Sequence, residues 1–211
     1  MFINNYFNTT IWSQQKIEFL KSLNKFSNSY IKSAKNISEV KKHIKKYGDF
    51  GKNYISTPLL QDNNFRDFKN YVGQKSWEYL NHQGYDMSQY EIMFNNLTVQ
   101  EFSKKGGNNY LTHAAKNQHV SGFYFLKCSD KTPSLIFNDP RPSARITKLI
   151  MKDHNKIYNG SDLINFTFTP GNLIIFPSFL EHTFSVDYGL EPFRFIHWTV
   201  QAIPNLMNDD I

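Results

Sequence analysis

Two histidines and one arginine are the side chains in this sequence whose setting suggests chemistry. His113 follows the glycine turn Gly106-Gly107-Asn108-Asn109 and precedes a strand-like run. His182 lies six residues beyond Phe176, at the end of the stretch that opens with Pro170-Gly171-Asn172-Leu173. Arg194 follows 12 residues later, inside the apolar run Phe193-Arg194-Phe195-Ile196-His197-Trp198. Neutral imidazoles are good ligands for a first-row divalent metal, and two of them leave coordination sites open for other groups. A guanidinium set among aromatic residues is costly to bury without an anion and is shaped for bidentate capture of a carboxylate. Tyr124, in Ser121-Gly122-Phe123-Tyr124-Phe125-Leu126, is placed to add a hydroxyl to that carboxylate. Each residue also has a plainer reading. His113 and His182 could be hydrogen-bonded structural histidines, His197 a core histidine, and Arg194 half of an ion pair with an acidic neighbour.

Such groups need a scaffold, and the chain supplies two kinds of element. The first third reads as helical. Ser13 is the expected N-cap of a helix carrying Ile17, Leu20, Leu23 and Phe26, and Ser38 opens a second helix that stops at Gly48. A third helix is expected over about 64–82, with Phe65, Phe68, Val72, Tyr79 and Leu80 on its apolar face and Gly84 beyond its end. Near Tyr90 the pattern changes to alternation. Short β-type runs follow at 120–126, 134–138, 164–169, 172–176, 183–186 and 193–200, separated by Ser-Asp-Lys, Asp-Pro-Arg-Pro, Pro-Gly and Asp-Tyr-Gly turns. Helices first and many strands afterwards predict an α+β fold of one domain, with residues 1–88 as a helical support layer for a β-sandwich or barrel core over 89–203.

Composition narrows the setting. The chain has 211 residues, 40% hydrophobic and 16% aromatic, enough for a real core and against disorder. The single cysteine, Cys128, permits no disulfide within one chain, and its place beside an apolar run favours a structural role. The N-terminal stretch has no basic and apolar signal pattern, and no run of about 18 apolar residues is present, so a cytoplasmic protein is expected. The net charge of +6 is uneven. Residues 1–75 hold 13 Lys and Arg against 5 Asp and Glu, and the remainder holds 11 against 13. The basic third is either a solvated lysine face or a surface for nucleic acid or another acidic partner. No aromatic residue is interleaved in Lys41-Lys42-His43-Ile44-Lys45-Lys46, so sequence-specific readout has no support there.

Taken in order, the pieces over about residues 90–203 are a histidine motif, the Gly122-Phe123-Tyr124-Phe125-Leu126 strand, Phe137-Asn138-Asp139-Pro140-Arg141, the run from Pro170 to Pro177, then His182 and Arg194. That order resembles the iron(II)/2-oxoglutarate oxygenase superfamily in its prolyl-hydroxylase-like branch, and in particular small phage and marine-bacterial members. The resemblance implies a double-stranded β-helix (a jelly roll), an iron(II) ion held by His113 and His182, and 2-oxoglutarate gripped by Arg194 with Tyr124. It implies a hydroxylase-type oxidation, in the host cytoplasm for a phage-encoded chain. One position departs from the pattern. Superfamily members carry an acid two residues after the first histidine, and this chain reads His113-Ala114-Ala115. Ala115 cannot bind metal. Either chloride takes the vacated site, as the resemblance to iron halogenases would imply, or Asp139 or His119 completes the metal shell, or the jelly roll is a catalytically inactive binding module that uses the basic N-terminal third, or the register of the motif lies elsewhere.

Overall fold

The computed structural model describes residues 8–107, 117–146, 149–153 and 155–205. In chain order the elements are β1 (Trp12–Gln15), α1 (Leu20–Lys35), α2 (Ser38–Tyr47), β2 (Asn53–Ile55), α3 (Arg66–His82), β3 (Tyr90–Phe102), β4 (Val120–Lys127), β5 (Leu135–Asn138), the short α4 (Pro142–Ile146), β6 (Leu163–Phe166), β7 (Asn172–Pro177), β8 (His182–Phe184) and β9 (Phe193–Pro204). Six strands make a large sheet in the order β1-β7-β4-β9-β3-β2, and three make a small sheet in the order β6-β5-β8. The pairings between these strands are all antiparallel. The two sheets form the β-sandwich core that the alternating pattern predicted, in the jelly-roll form that the family resemblance implied, with β3 and β9 as its longest pair.

Alternation along the central strands sorts their side chains into two cores. Leu97, Val99, Tyr124, Leu126, Ile196, Trp198 and Val200 face the helices. Phe102, Phe123, Phe125, Ile174, Phe176, Phe193 and Phe195 join the second core, with Leu135, Phe137, Leu180 and Phe184 from the small-sheet side. Helix α1 buries Leu23, Ser27, Ile31 and Ala34, a single stripe at helical spacing. Helix α3 lays Phe68 against both Tyr124 and Trp198 of the large sheet. Gly122 is obligatory in this packing, because a Cβ there would sit 2.1 Å from the Trp198 indole. Helix α2 runs from Ser38 as expected and stops at Gly48, whose φ of 78° lies in the region open to glycine.

One helical expectation is corrected. Ser13 caps no helix: Trp12–Gln15 is an edge strand paired with Asn172–Ile175 of β7, and the first helical turn begins only at Ile17. The segment is too polar to show a strand pattern, and the unpaired backbone edge of β7 decides its conformation. Strand β2, on the opposite edge of the same sheet, likewise had no sequence signal. The N-terminal third therefore supplies both edges of the large sheet as well as the helical layer.

Candidate active site

His182 opens β8 and is 2% exposed. Its ring is enclosed by Phe176 at 4.8 Å, Phe123 at 5.6 Å and Phe137 at 6.1 Å between centroids. Nδ1 lies 2.9 Å from the Leu180 carbonyl oxygen. A carbonyl can only accept, so Nδ1 carries a proton, and in the neutral imidazole the lone pair sits on Nε2. A carbonyl on one ring nitrogen that fixes the tautomer is the usual support for a histidine that binds metal through the other. The two-residue turn between Leu180 and His182 builds this locally, and pairing of His182 with Phe137 holds the ring at the sheet face.

Beyond Phe123 the inner face of the large sheet turns polar. His197 stacks on Phe123 at 4.8 Å and pairs across the sheet with Thr98. In the next row Thr199 lies between Asn96 and Ser121, and Ser121 is paired in turn with Phe176. The Ser121 and Ser178 hydroxyls are 2.7 Å apart, both buried. Thr98 Oγ1 and Thr199 Oγ1 are buried and have no hydrogen-bond partner among the described residues. Threonines and serines at strand positions carry no chemical signature in sequence, so this set was not expected; only the strand register assembles it.

The remaining expectations fare differently. His113 and Ala115, and with them the position expected to take chloride, lie outside the described residues. Arg194 is corrected. Its side chain leaves the sheet on the helical side, where Nε and Nη2 donate to Glu101 Oε2 at 2.7 and 2.6 Å and Nη1 donates to Ser27 Oγ and Asn28 Oδ1 at 2.9 and 2.7 Å. Strand parity is the reason: Arg194 shares a face with Ile196 and Trp198, while Phe193 and Phe195 point between the sheets. The plainer reading, an ion pair with an acidic neighbour, is what the fold contains. Tyr124 is corrected for the same reason. Its hydroxyl donates to the Lys16 carbonyl at 2.6 Å, and burial pushes its ionisation well above the ordinary tyrosine value. His119 is exposed, and its Nδ1 accepts from the Ala202 N–H at 2.9 Å, which ties the start of β4 to β9. The Asp139 carboxylate accepts from the Arg141 backbone N–H, Nε and Nη2. This pair lines a cleft of about 510 Å³ that also includes Phe137 and Leu180, the residues sheltering His182. Among the described residues no three His, Cys, Asp or Glu side chains cluster as a metal site. No described helix is long and apolar enough to cross a membrane. The lysines at 41, 42, 45 and 46 are exposed on α2.

Residues 101–189 match the family described as "Putative 2OG-Fe(II) oxygenase", a stretch that includes His113, Asp139 and His182 and ends before Arg194. No curated protein sequence matches the chain. Among solved structures, a Pseudomonas putida prolyl-4-hydroxylase is similar with a TM-score of 0.54 at 9% identity, covering 92% of each chain. A Trichoplax adhaerens prolyl hydroxylase, solved with a hypoxia inducible factor peptide fragment, gives 0.53 at 13% identity over 90% of this chain and 83% of that one. The non-heme alpha ketoglutarate dependent epimerase SnoN from nogalamycin biosynthesis gives 0.54 at 8% identity over 92% and 76%. In sequence over residues 101–189 the chain is similar to that 2OG-Fe(II) oxygenase family, and in fold over most of its length it resembles the two prolyl hydroxylases.

Proposed function

We propose that this protein is an iron(II)- and 2-oxoglutarate-dependent oxygenase of hydroxylase type, with His182 as a metal ligand and His113 as its partner. The observation that carries the reading is the His182 imidazole, held by the Leu180 carbonyl and walled by three phenylalanines on the inner face of the jelly roll. That donor suits iron(II): it is nitrogen, neutral in this tautomer and sheltered from water. Arg194 does not suit the cosubstrate, because it lies on the other face of the sheet, hydrogen-bonded there to Glu101, Ser27 and Asn28. Iron(II) with 2-oxoglutarate and dioxygen would supply the oxidising chemistry, one oxygen atom going into the succinate formed as CO2 is released and the other to the substrate. The chain's own part is to orient His182, to keep water out with Phe123, Phe137 and Phe176, and to present substrate from the neighbouring cleft.

Anaerobic titration of the apoprotein with iron(II) and 2-oxoglutarate tests this. The expected result is the weak visible metal-to-ligand charge-transfer band, lost in His182→Ala. Failure of wild-type protein to bind iron under these conditions refutes the reading.

A further inference from the structure

Between β5 and β6 the chain makes a long excursion whose neck is closed. The Asp139 N–H donates to the Asp162 carbonyl at 2.9 Å, and Arg141 Nη2 donates to the Asn159 carbonyl at 3.2 Å. By sequence, residues 140–161 hold five Lys and Arg against the single acid Asp153, a charge of +4 within a chain whose net charge is +6. The same stretch sets large aliphatic side chains in water. Ile146 is 81% exposed, Leu149 85% and Ile150 91%, and among the described residues only Leu190 is a large hydrophobic exposed to this degree. Single exposed leucines need no explanation, but three within five positions make a patch. The patch does not serve the cleft beside His182. Ile157 and Tyr158, farther along the excursion, line that cleft, whereas Ile146, Leu149 and Ile150 do not. Lys152 and Lys156 follow the patch and are exposed. Asp153 approaches Lys156 to 3.7 Å, too open a pair to neutralise it.

We propose that this excursion docks the protein on an anionic lipid bilayer, with Leu149 and Ile150 entering the headgroup region and Lys152 and Lys156 held at the charged surface. The proposal is independent of the oxygenase reading. Aliphatic side chains beside lysines gain apolar burial and electrostatic attraction together at such a surface. Other occupants suit the residues less well. Two copies meeting through this patch would bring two charges of +4 together, since a two-fold contact joins like to like. Nucleic acid would engage the lysines and leave the aliphatics in water. Helix α2 offers a comparison within the same molecule. Lys41, Lys42, Lys45 and Lys46 are exposed there too, but its Val40 and Ile44 pack against the first core, on the helical side of the large sheet. That helix has charge without an aliphatic tip.

The test is flotation of the full-length protein with vesicles of phosphatidylcholine, alone or with about one-third phosphatidylserine. Binding is expected only to the phosphatidylserine vesicles. The double variant Leu149→Ser with Ile150→Ser should weaken it about tenfold or more, because two aliphatic side chains no longer leave water. Lys152→Gln and Lys156→Gln should each weaken it about fivefold. Lys41→Gln with Lys45→Gln on α2 should leave it within about twofold, being charge on another face. All these side chains are exposed, so the variants should melt with wild type. Absence of binding to phosphatidylserine vesicles, equal binding to phosphatidylcholine alone, or wild-type affinity in the serine variant overturns the proposal. So does an equal loss in the α2 variant, which would reduce the binding to general charge. A wild-type dimer in analytical ultracentrifugation that the serine variant loses assigns the patch to a second copy instead. Tighter binding to duplex DNA than to vesicles, unchanged in the serine variant, assigns the lysines to nucleic acid.

Discussion

Replacing Arg194 separates a structural arginine from a ligand-binding one most sharply. In Arg194→Met the Glu101 carboxylate, 2% exposed, loses the two donors on Oε2 and keeps Lys35 at 2.8 Å on Oε1. Ser27 Oγ and Asn28 Oδ1 lose the Nη1 donor as well, and with it goes this link from α1 to β9. Removing one partner of a buried, hydrogen-bonded ion pair costs about 3–5 kcal/mol. Lys35 is partly exposed and compensates little. For a chain of this size, that corresponds to a fall in melting temperature of roughly 6–20 °C. Removing both charges at once, with Glu101→Met added, should recover most of the loss, since apolar replacement of a whole buried pair is often neutral. Differential scanning calorimetry of wild type and the single and double variants decides. An Arg194→Met protein that melts like wild type would refute the structural assignment, and a double variant as unstable as the single one would show that the pair itself is not what Arg194 contributes.

Gly122→Ala drives a methyl into the Trp198 ring and should destabilise by about 1–3 kcal/mol, read from the denaturant midpoint; the larger Gly122→Val should not yield folded protein. Tyr124→Phe removes only the bond to the Lys16 carbonyl and should cost about 1 kcal/mol in the same assay, with 2-oxoglutarate affinity unchanged. Cys128, pushed up to about 12 by burial, should resist alkylation at pH 8 in the native protein and react once unfolded, as mass spectrometry of iodoacetamide-treated samples would show. The sign of its pH effect follows. The unfolded thiol ionises near 9 and the folded one near 12, so stability is unaffected below 9 and falls as pH rises through that interval; Cys128→Ala should flatten the decline measured by urea titration at pH 9 to 11. His182→Ala should lose metal binding measured with cobalt(II), whereas His119→Ala, which removes only an acceptor for the Ala202 N–H, should keep it.

Much of this protein is written locally. The apolar positions Leu20, Leu23 and Phe26, the stop at Gly48 and the alternating runs that begin at Tyr90 and at Phe193 depend on near neighbours in sequence, and they fall in α1, at the end of α2, and in β3 and β9. The place of His182 at a strand start was legible too, because the Pro-Gly turn, the apolar run and the histidine follow one another within a short stretch, while its role as a ligand is the proposal made above. Tertiary structure decided what local signals cannot encode. Trp12–Gln15 is a strand because β7 has an edge to fill. Arg194 and Tyr124 are neutral on which face of a sheet they take; strand parity and the Phe193 and Phe195 anchors set both toward the helices. Thr98, Thr199 and Ser121 come from three strands distant in sequence and meet only through register, so their shared face could not be seen before the sheet was formed.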